Sequence, residues 1–160
     1  MSIKAGDRIP TAILKHKTSD GVIDISTEEL FSGRKVVIFA VPGAFTPTCS
    51  AKHLPGFVAK AAEIKAKGVD TIACVSVNDA FVMYAWGIDQ NAEDKVMMLA
   101  DGSSIFTKAI GQELDRTEAG MGMRSARYAM IVNDGVVIEM LAEEPGAFEV
   151  SSAEYVLSKL

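Results

Sequence analysis

The run Val36-Val37-Ile38-Phe39-Ala40-Val41 restricts the fold more than any other stretch of this chain. It is apolar at both parities, so a strand formed here presents two greasy faces and belongs at the centre of a sheet covered on both sides. Thr71-Ile72-Ala73-Cys74-Val75-Ser76-Val77 repeats the signal, and Val96 to Ala100 gives it a third time. Between the first two runs, Phe57, Ala61 and Ile64 recur at helical spacing, and the segment closes on Lys65, Lys67 and Gly68, a cationic last turn followed by glycine. Asn78 stands as a plausible N-cap before a helix over Phe81 to Trp86, and Ser103 to Ile110 reads as the next helix. Strands alternating with helices make an α/β domain, and the crossovers require the runs 35–41, 71–77 and 96–100 to be parallel.

The ends of the chain read differently. Thr11-Ala12-Ile13-Leu14-Lys15 and Val22-Ile23-Asp24-Ile25 flank Ser19-Asp20-Gly21, a hairpin signature. Ser26 with Glu29 forms a capping-box pattern that opens a short helix through Leu30, and Ser151 with Glu154 repeats it before a terminal helix. Arg127 to Val132 and Val136 to Leu141 surround Asn133-Asp134-Gly135, a second hairpin that adds antiparallel strands. Gly120-Met121-Gly122-Met123 reads as part of a long connection before it. The expectation is one domain over residues 1–160: a mixed central sheet, helices on both faces and an N-terminal hairpin.

Composition removes several classes of function. Sixteen basic residues against twenty-one acidic ones leave a net charge of −5, without the basic footprint of a nucleic-acid binder. No apolar run approaches the ~20 residues needed to cross a bilayer, so no membrane association is expected. The first twenty residues hold no secretory apolar core, and a cytoplasmic location is the expectation. The sequence lacks GxxxxGK[ST], GxGxxG after a strand, HExxH and GxSxG, so neither a nucleotide cofactor nor a catalytic metal is expected. Two cysteines, Cys49 and Cys74, form no CxxC pair and no disulfide framework.

Cys49 lies in Val41-Pro42-Gly43-Ala44-Phe45-Thr46-Pro47-Thr48-Cys49-Ser50, between a buried strand and a helix. In the first helical turn, free backbone N–H groups and the positive end of the dipole stabilise a thiolate. Thr46, three residues earlier, is placed to donate a hydrogen bond to that sulfur, and two prolines stiffen the loop. Position alone leaves a small buried cysteine at a strand–helix joint as an equal reading.

Pro42-x-x-x-Thr46-x-x-Cys49 resembles the active-site motif of the peroxiredoxins, and the run VPGAFTPTCSAKHLPGF is similar to their type II, peroxiredoxin-5-like branch. The likeness continues through VSVND, FVMYAWG, ADGSS and RSARYAMIVNDG, over essentially the whole chain. It implies a thioredoxin-like fold and a thiol-dependent peroxidase acting on hydrogen peroxide and organic hydroperoxides, in antioxidant defence. Cys49 would be the peroxidatic cysteine, oxidised to a sulfenic acid. Arg127 would supply the cation that favours the thiolate and the charge developing on the peroxide, with Arg124 as second candidate. Thr46 would bind the peroxide, Pro42 would shield the sulfur from water, and the Cys49 N–H would be a further donor.

Two roles stay open. Cys74 is either a core thiol or the resolving partner of Cys49. The segment Phe148 to Ser152 has no cysteine, which leaves Cys74 or an external thiol, glutathione with glutaredoxin or thioredoxin, as reductant. His53, four residues after Cys49, is read as a packing residue in preference to a base or metal ligand, and Pro55 as a break or restart in the helix. Met83, Trp86 and Phe81 form an apolar stripe, read as core. With Phe45, part of that stripe is also a candidate homodimer interface. A thioredoxin-type disulfide exchanger and a peroxide sensor or holdase-like binding module are the rival functions.

Overall fold

The computed structural model describes residues 2–160. The three apolar runs become β3 (Lys35–Ala40), β4 (Thr71–Ser76) and β5 (Met97–Ala100), parallel neighbours in one seven-stranded sheet. The hairpin β1 (Ile13–Thr18) and β2 (Gly21–Ser26) adds antiparallel to β5, and β8 (Tyr128–Asn133) and β9 (Val136–Ala142) add antiparallel to β3. The resulting order is β2-β1-β5-β4-β3-β8-β9, the expected mixed sheet. Asp134 and Gly135, with φ of 49° and 79°, make the tight β8–β9 loop in the mirror-image conformation that matches strand twist.

Both faces are covered. Helices α2 (Leu54–Ala66), α3 (Ala80–Asp89) and α5 (Ala153–Ser158) pack Phe57, Ile64, Met83, Trp86 and Val156 against Val37, Phe39 and Cys74. On the other face, α1 (Thr27–Phe31) and α4 (Ile105–Ala109) pack Leu30, Phe31 and Phe106 against Val36, Ile38 and Val75. Successive residues of β3 thus feed opposite cores, as its two-sided apolarity requires.

The Ser26 capping box is complete: Glu29 N–H donates to Ser26 Oγ at 3.1 Å, and Ser26 N–H donates to Glu29 Oε1 at 3.2 Å. Three expectations shift. Asp79, not Asn78, caps α3 by accepting from Val82 N–H at 2.9 Å, and Asn78 turns back toward the loop after β3. Ser152, not Ser151, caps α5, because the Ser151 hydroxyl is drawn to Glu143. The long connection after α4 holds a separate two-stranded hairpin, β6 (Glu113–Arg116) and β7 (Gly122–Ser125). Its strands are short and mostly polar, so no alternation announces them.

Candidate functional site

After β3 the chain runs through Pro42 to Thr46 and enters a helical turn at Pro47, a position where the missing proline N–H costs no helical bond. Ser50 N–H donates to Thr46 O at 2.9 Å, so Thr46 heads this helix and Cys49 is its third residue. The Cys49 N–H is therefore among the first four, which have no acceptor within the helix. From Cys49 to His53 the helix is wound as a π-turn, closed by Leu54 N–H donating to Cys49 O. Pro55 supplies the reason: it has no N–H to give, and in a regular helix its ring would meet the carbonyl of Ala51. The wider turn carries the chain past that obstacle and α2 restarts at Leu54, so the expected break at Pro55 takes the form of a π-turn holding the cysteine.

Cys49 is fully buried, and Arg127 Nη2 reaches its sulfur at 3.2 Å. Arg127 stands immediately before β8 and lines a cleft of about 650 Å³ together with Pro42, Thr46, Lys52, Met121 and Phe148. Its other terminal nitrogen, Nη1, donates to His53 Nδ1 at 2.7 Å. His53 Nε2 in turn donates to the Ser151 carbonyl at 2.9 Å, which sets the tautomer. The His53 ring is fully buried between Phe39 and Phe148, with centroids at 4.8 and 5.0 Å. Burial first, and the Arg127 guanidinium second, push its pKa down to about 3, so at neutral pH it is an uncharged acceptor. With both nitrogens engaged, His53 has no lone pair for the thiol of Cys49. Its packing role is as expected; its hydrogen bond to Arg127 is what spacing along one helix did not disclose.

Arg124 lies elsewhere. Its Nε donates to Met121 O at 2.9 Å and its Nη1 to Pro42 O at 3.4 Å, so it clips the β6–β7 hairpin onto the cysteine loop without reaching the sulfur. Gly43 makes room for it: a Cβ there would stand 2.9 Å from Arg124 Nη1. Asn78 holds the same loop from the other side, its Oδ1 accepting from Ala44 N–H at 3.0 Å and from the Ser76 hydroxyl at 2.6 Å. Phe45 is kept at φ 64°, a backbone region that bulky side chains seldom occupy.

The Thr46 hydroxyl departs from expectation. It donates to Gly43 O at 2.7 Å, the carbonyl toward which its own N–H also points, and not to Cys49. Its proton being used there, Thr46 Oγ1 offers lone pairs to the cleft. Cys74 sits in mid-β4, fully buried, paired in register with Phe39 and Met98. Burial raises its thiol well above the ordinary cysteine value, and both cysteines are free. Met83 and Trp86 are core, whereas Phe45 and Phe81 expose 53% and 66% of their surface. The Met83–Trp86–Phe81 stripe therefore splits between core and surface.

Comparison with known proteins points to a redox family whose curated relatives carry peroxiredoxin names. Residues 4–157 match the Redoxin family model. The chain is 50% identical over 163 residues to "Peroxiredoxin-2E, chloroplastic" of Arabidopsis thaliana, covering 99% of this chain and 70% of that protein. It is 46% identical to Peroxiredoxin-2B of the same plant, over 99% and 98% of the two chains. Among solved structures, reduced Prx3 from Vibrio vulnificus in complex with hydrogen peroxide superposes with a TM-score of 0.95, at 55% identity over 98% of each chain.

Proposed function

The chain belongs to the peroxiredoxins, which are thiol-dependent peroxidases, and from that premise we propose that Cys49 is its peroxidatic residue, with Arg127, Thr46 and Pro42 as partners. The observation that carries the assignment is the 3.2 Å contact to Cys49 Sγ from Nη2 of Arg127, a residue that lines the cleft. A guanidinium there favours the thiolate and is aimed where negative charge develops as the O–O bond lengthens. The thiolate attacks one peroxide oxygen. The S–O bond forms as the O–O bond breaks, two electrons pass from sulfur to peroxide, and the leaving oxygen takes a proton to depart as water or an alcohol. Thr46 Oγ1 accepts the hydrogen of the bound hydroperoxide, and Pro42 covers the sulfur from the loop side.

Hydrogen peroxide is the first substrate in this reading, supported by the Vibrio relative crystallised with it. Alkyl hydroperoxides are the second, since Met121 and Phe148 give the cleft apolar wall. For the return step we favour an external thiol, glutathione with glutaredoxin or thioredoxin, over Cys74. A neutral, fully buried thiol in mid-strand is a poor nucleophile, and Cys74 would reach Cys49 only after the π-turn unwinds. The exposed rings of Phe45 and Phe81 support a homodimer as the working assembly, which sedimentation showing only monomer at high micromolar concentration would refute.

The test is the intact mass of reduced protein after one equivalent of peroxide, beside Cys74→Ser, followed by turnover with each reductant. A gain of about sixteen daltons in both proteins is expected, a sulfenic acid awaiting a second molecule. A loss of about two daltons in the wild type alone would instead make Cys74 the resolving cysteine. Oxidation without turnover under any thiol would leave a peroxide sensor in place of a peroxidase.

A further inference from the structure

Arg127 and Glu143 are hydrogen-bonded neighbours across the end of the β8–β9 ladder. Glu143 N–H donates to Arg127 O at 3.1 Å, one step beyond the Tyr128–Ala142 pair. Their side chains nevertheless form no ion pair among the described residues. The Glu143 carboxylate turns to the chain that follows it. Its Oε2 accepts from Ser151 N–H at 2.9 Å, from the Ser151 hydroxyl at 2.7 Å and from Glu149 N–H at 2.6 Å. One oxygen thus closes residues 143–151 into a loop, as a carboxylate does when it caps a helix.

That loop crosses the site. Phe148 projects from it, with its ring 5.9 Å from the Arg127 guanidinium carbon and 5.0 Å from the His53 ring. Ser151, the residue Glu143 grips by both N–H and hydroxyl, presents the carbonyl that takes the His53 Nε2 proton. His53 can then accept from Arg127 Nη1 only through Nδ1, and with Nη1 fixed the planar guanidinium directs Nη2 at Cys49 Sγ.

We propose that Glu143 is a positioning residue for Cys49, acting at a distance by clasping the 143–151 loop so that Ser151, His53 and Arg127 are held in register beneath the sulfur. The proposal rests on the peroxidatic reading of Cys49 for its importance to turnover, but the alignment of Arg127 has its own readout. The charged and titratable groups around the chain of contacts are Cys49, His53, Cys74, Arg127 and Glu143, with Lys52, Arg116 and Glu144 on the same cleft. The clasp works by accepting hydrogen bonds, and only secondarily by charge. Glutamine, whose carbonyl oxygen accepts from the same donors, should therefore substitute for Glu143, whereas alanine should not.

The experiment measures two quantities on reduced full-length protein: the pH profile of Cys49 alkylation by iodoacetamide, located by peptide mass, and kcat/KM for hydrogen peroxide. Glu143→Ala is expected to lower both the alkylation rate at pH 7 and kcat/KM by about tenfold and to move the alkylation midpoint to higher pH, with Glu143→Gln within about threefold of wild type. His53→Phe keeps the ring packing, loses both hydrogen bonds and should reproduce Glu143→Ala. The double variant should be no worse than the poorer single one, as for links of one chain of contacts. Ser151→Ala, which removes one of the three donors and is the milder change should Glu143→Ala not fold, is expected to cost about twofold in both readouts. Wild-type values in Glu143→Ala, or in Ser151→Ala where that variant serves as the test, would overturn the proposal. Equal losses in the Gln and Ala variants, or additive losses in the double variant, would overturn it too. Failure of the wild type to consume peroxide, with the alkylation differences intact, would sink the peroxidase reading and leave the clasp standing.

Discussion

Cys49 and Cys74 are equally buried and belong to the same layer of the core, yet their surroundings have almost nothing else in common. Cys74 is locked in register between Phe39 and Met98 by strands on both sides; burial first, and Cys49 second, raise its thiol, and Arg127, which opposes them, makes no hydrogen bond to its sulfur. Cys49 sits in a helix's first residues, in a π-turn, with a guanidinium on its sulfur and a cleft in front of that guanidinium. Lack of solvent exposure therefore does not make a cysteine inert. What separates the two is whether charged donors reach the sulfur and whether the backbone carrying it has a weak joint.

The largest effect should come from exchanging the sulfurs. Cys49→Ser is expected to abolish peroxide consumption, and turnover persisting at more than a few per cent of wild type would end the contrast. Next, Arg127→Ala removes the donor on the sulfur and leaves His53 Nδ1 without its partner. A fall of about 10²–10³ in kcat/KM is expected, measured in competition with a reference peroxidase, and a change under tenfold would move the chemistry away from this contact.

Acid should loosen the Cys49 side of the core selectively. The unfolded chain protonates His53 near 6.5 and the folded one near 3, so between those values the unfolded state holds the extra proton. Stability from this group is complete above about pH 6.5 and falls as pH drops toward 3, by at most roughly 4 kcal/mol. Glu143 acts in the same sense. Burial would raise its carboxyl, but hydrogen bonds from Ser151 and Glu149 hold it below its usual 4.5, so its contribution is lost as pH falls through that lowered value. A melting temperature unchanged between pH 7 and pH 4 would contradict this, and His53→Phe should flatten the curve.

Smaller effects test the periphery. Arg124→Ala should slow the peroxide reaction by about threefold to tenfold through a looser Pro42–Thr46 loop. A loss equal to that of Arg127→Ala would mean that both arginines meet the peroxide. Cys74→Ala should change kcat/KM by less than about twofold while costing about 1–2 kcal/mol in denaturant unfolding, the mark of a residue that only fills space.

The sheet was legible because its information is local. A strand apolar at both parities, an Asp-Gly turn and Ser26 with Glu29 each carry their meaning within a few residues. The motif around Cys49 was legible for a different reason, its likeness to a known active site, which also singled out Arg127 seventy-eight positions away. What stayed hidden depends on contacts the local pattern does not encode. Asn78 and Ser151 both look like caps; each was displaced by one residue because a distant group, Ala44 N–H in one case and Glu143 in the other, claimed the side chain. The Thr46 hydroxyl was expected on sulfur and lost to a carbonyl three residues away, a local competitor that the motif does not reveal. His53 reads as a packing residue because the sequence offers too few ligands for a metal site and the resembled family needs no general base; its aromatic neighbours agree, and only the fold brings Arg127 to its other edge.

The indole N–H of Trp86 donates to Ser50 Oγ at 3.0 Å, and Ser50 is the residue next to Cys49. Trp86 is the sole tryptophan of the chain. The molecule therefore carries a built-in fluorophore tethered to the reacting turn. Unwinding of the π-turn would break the one hydrogen bond of a single emitter, so stopped-flow mixing of the reduced protein with peroxide should register as a change in intrinsic emission, without dye, coupling enzyme or label.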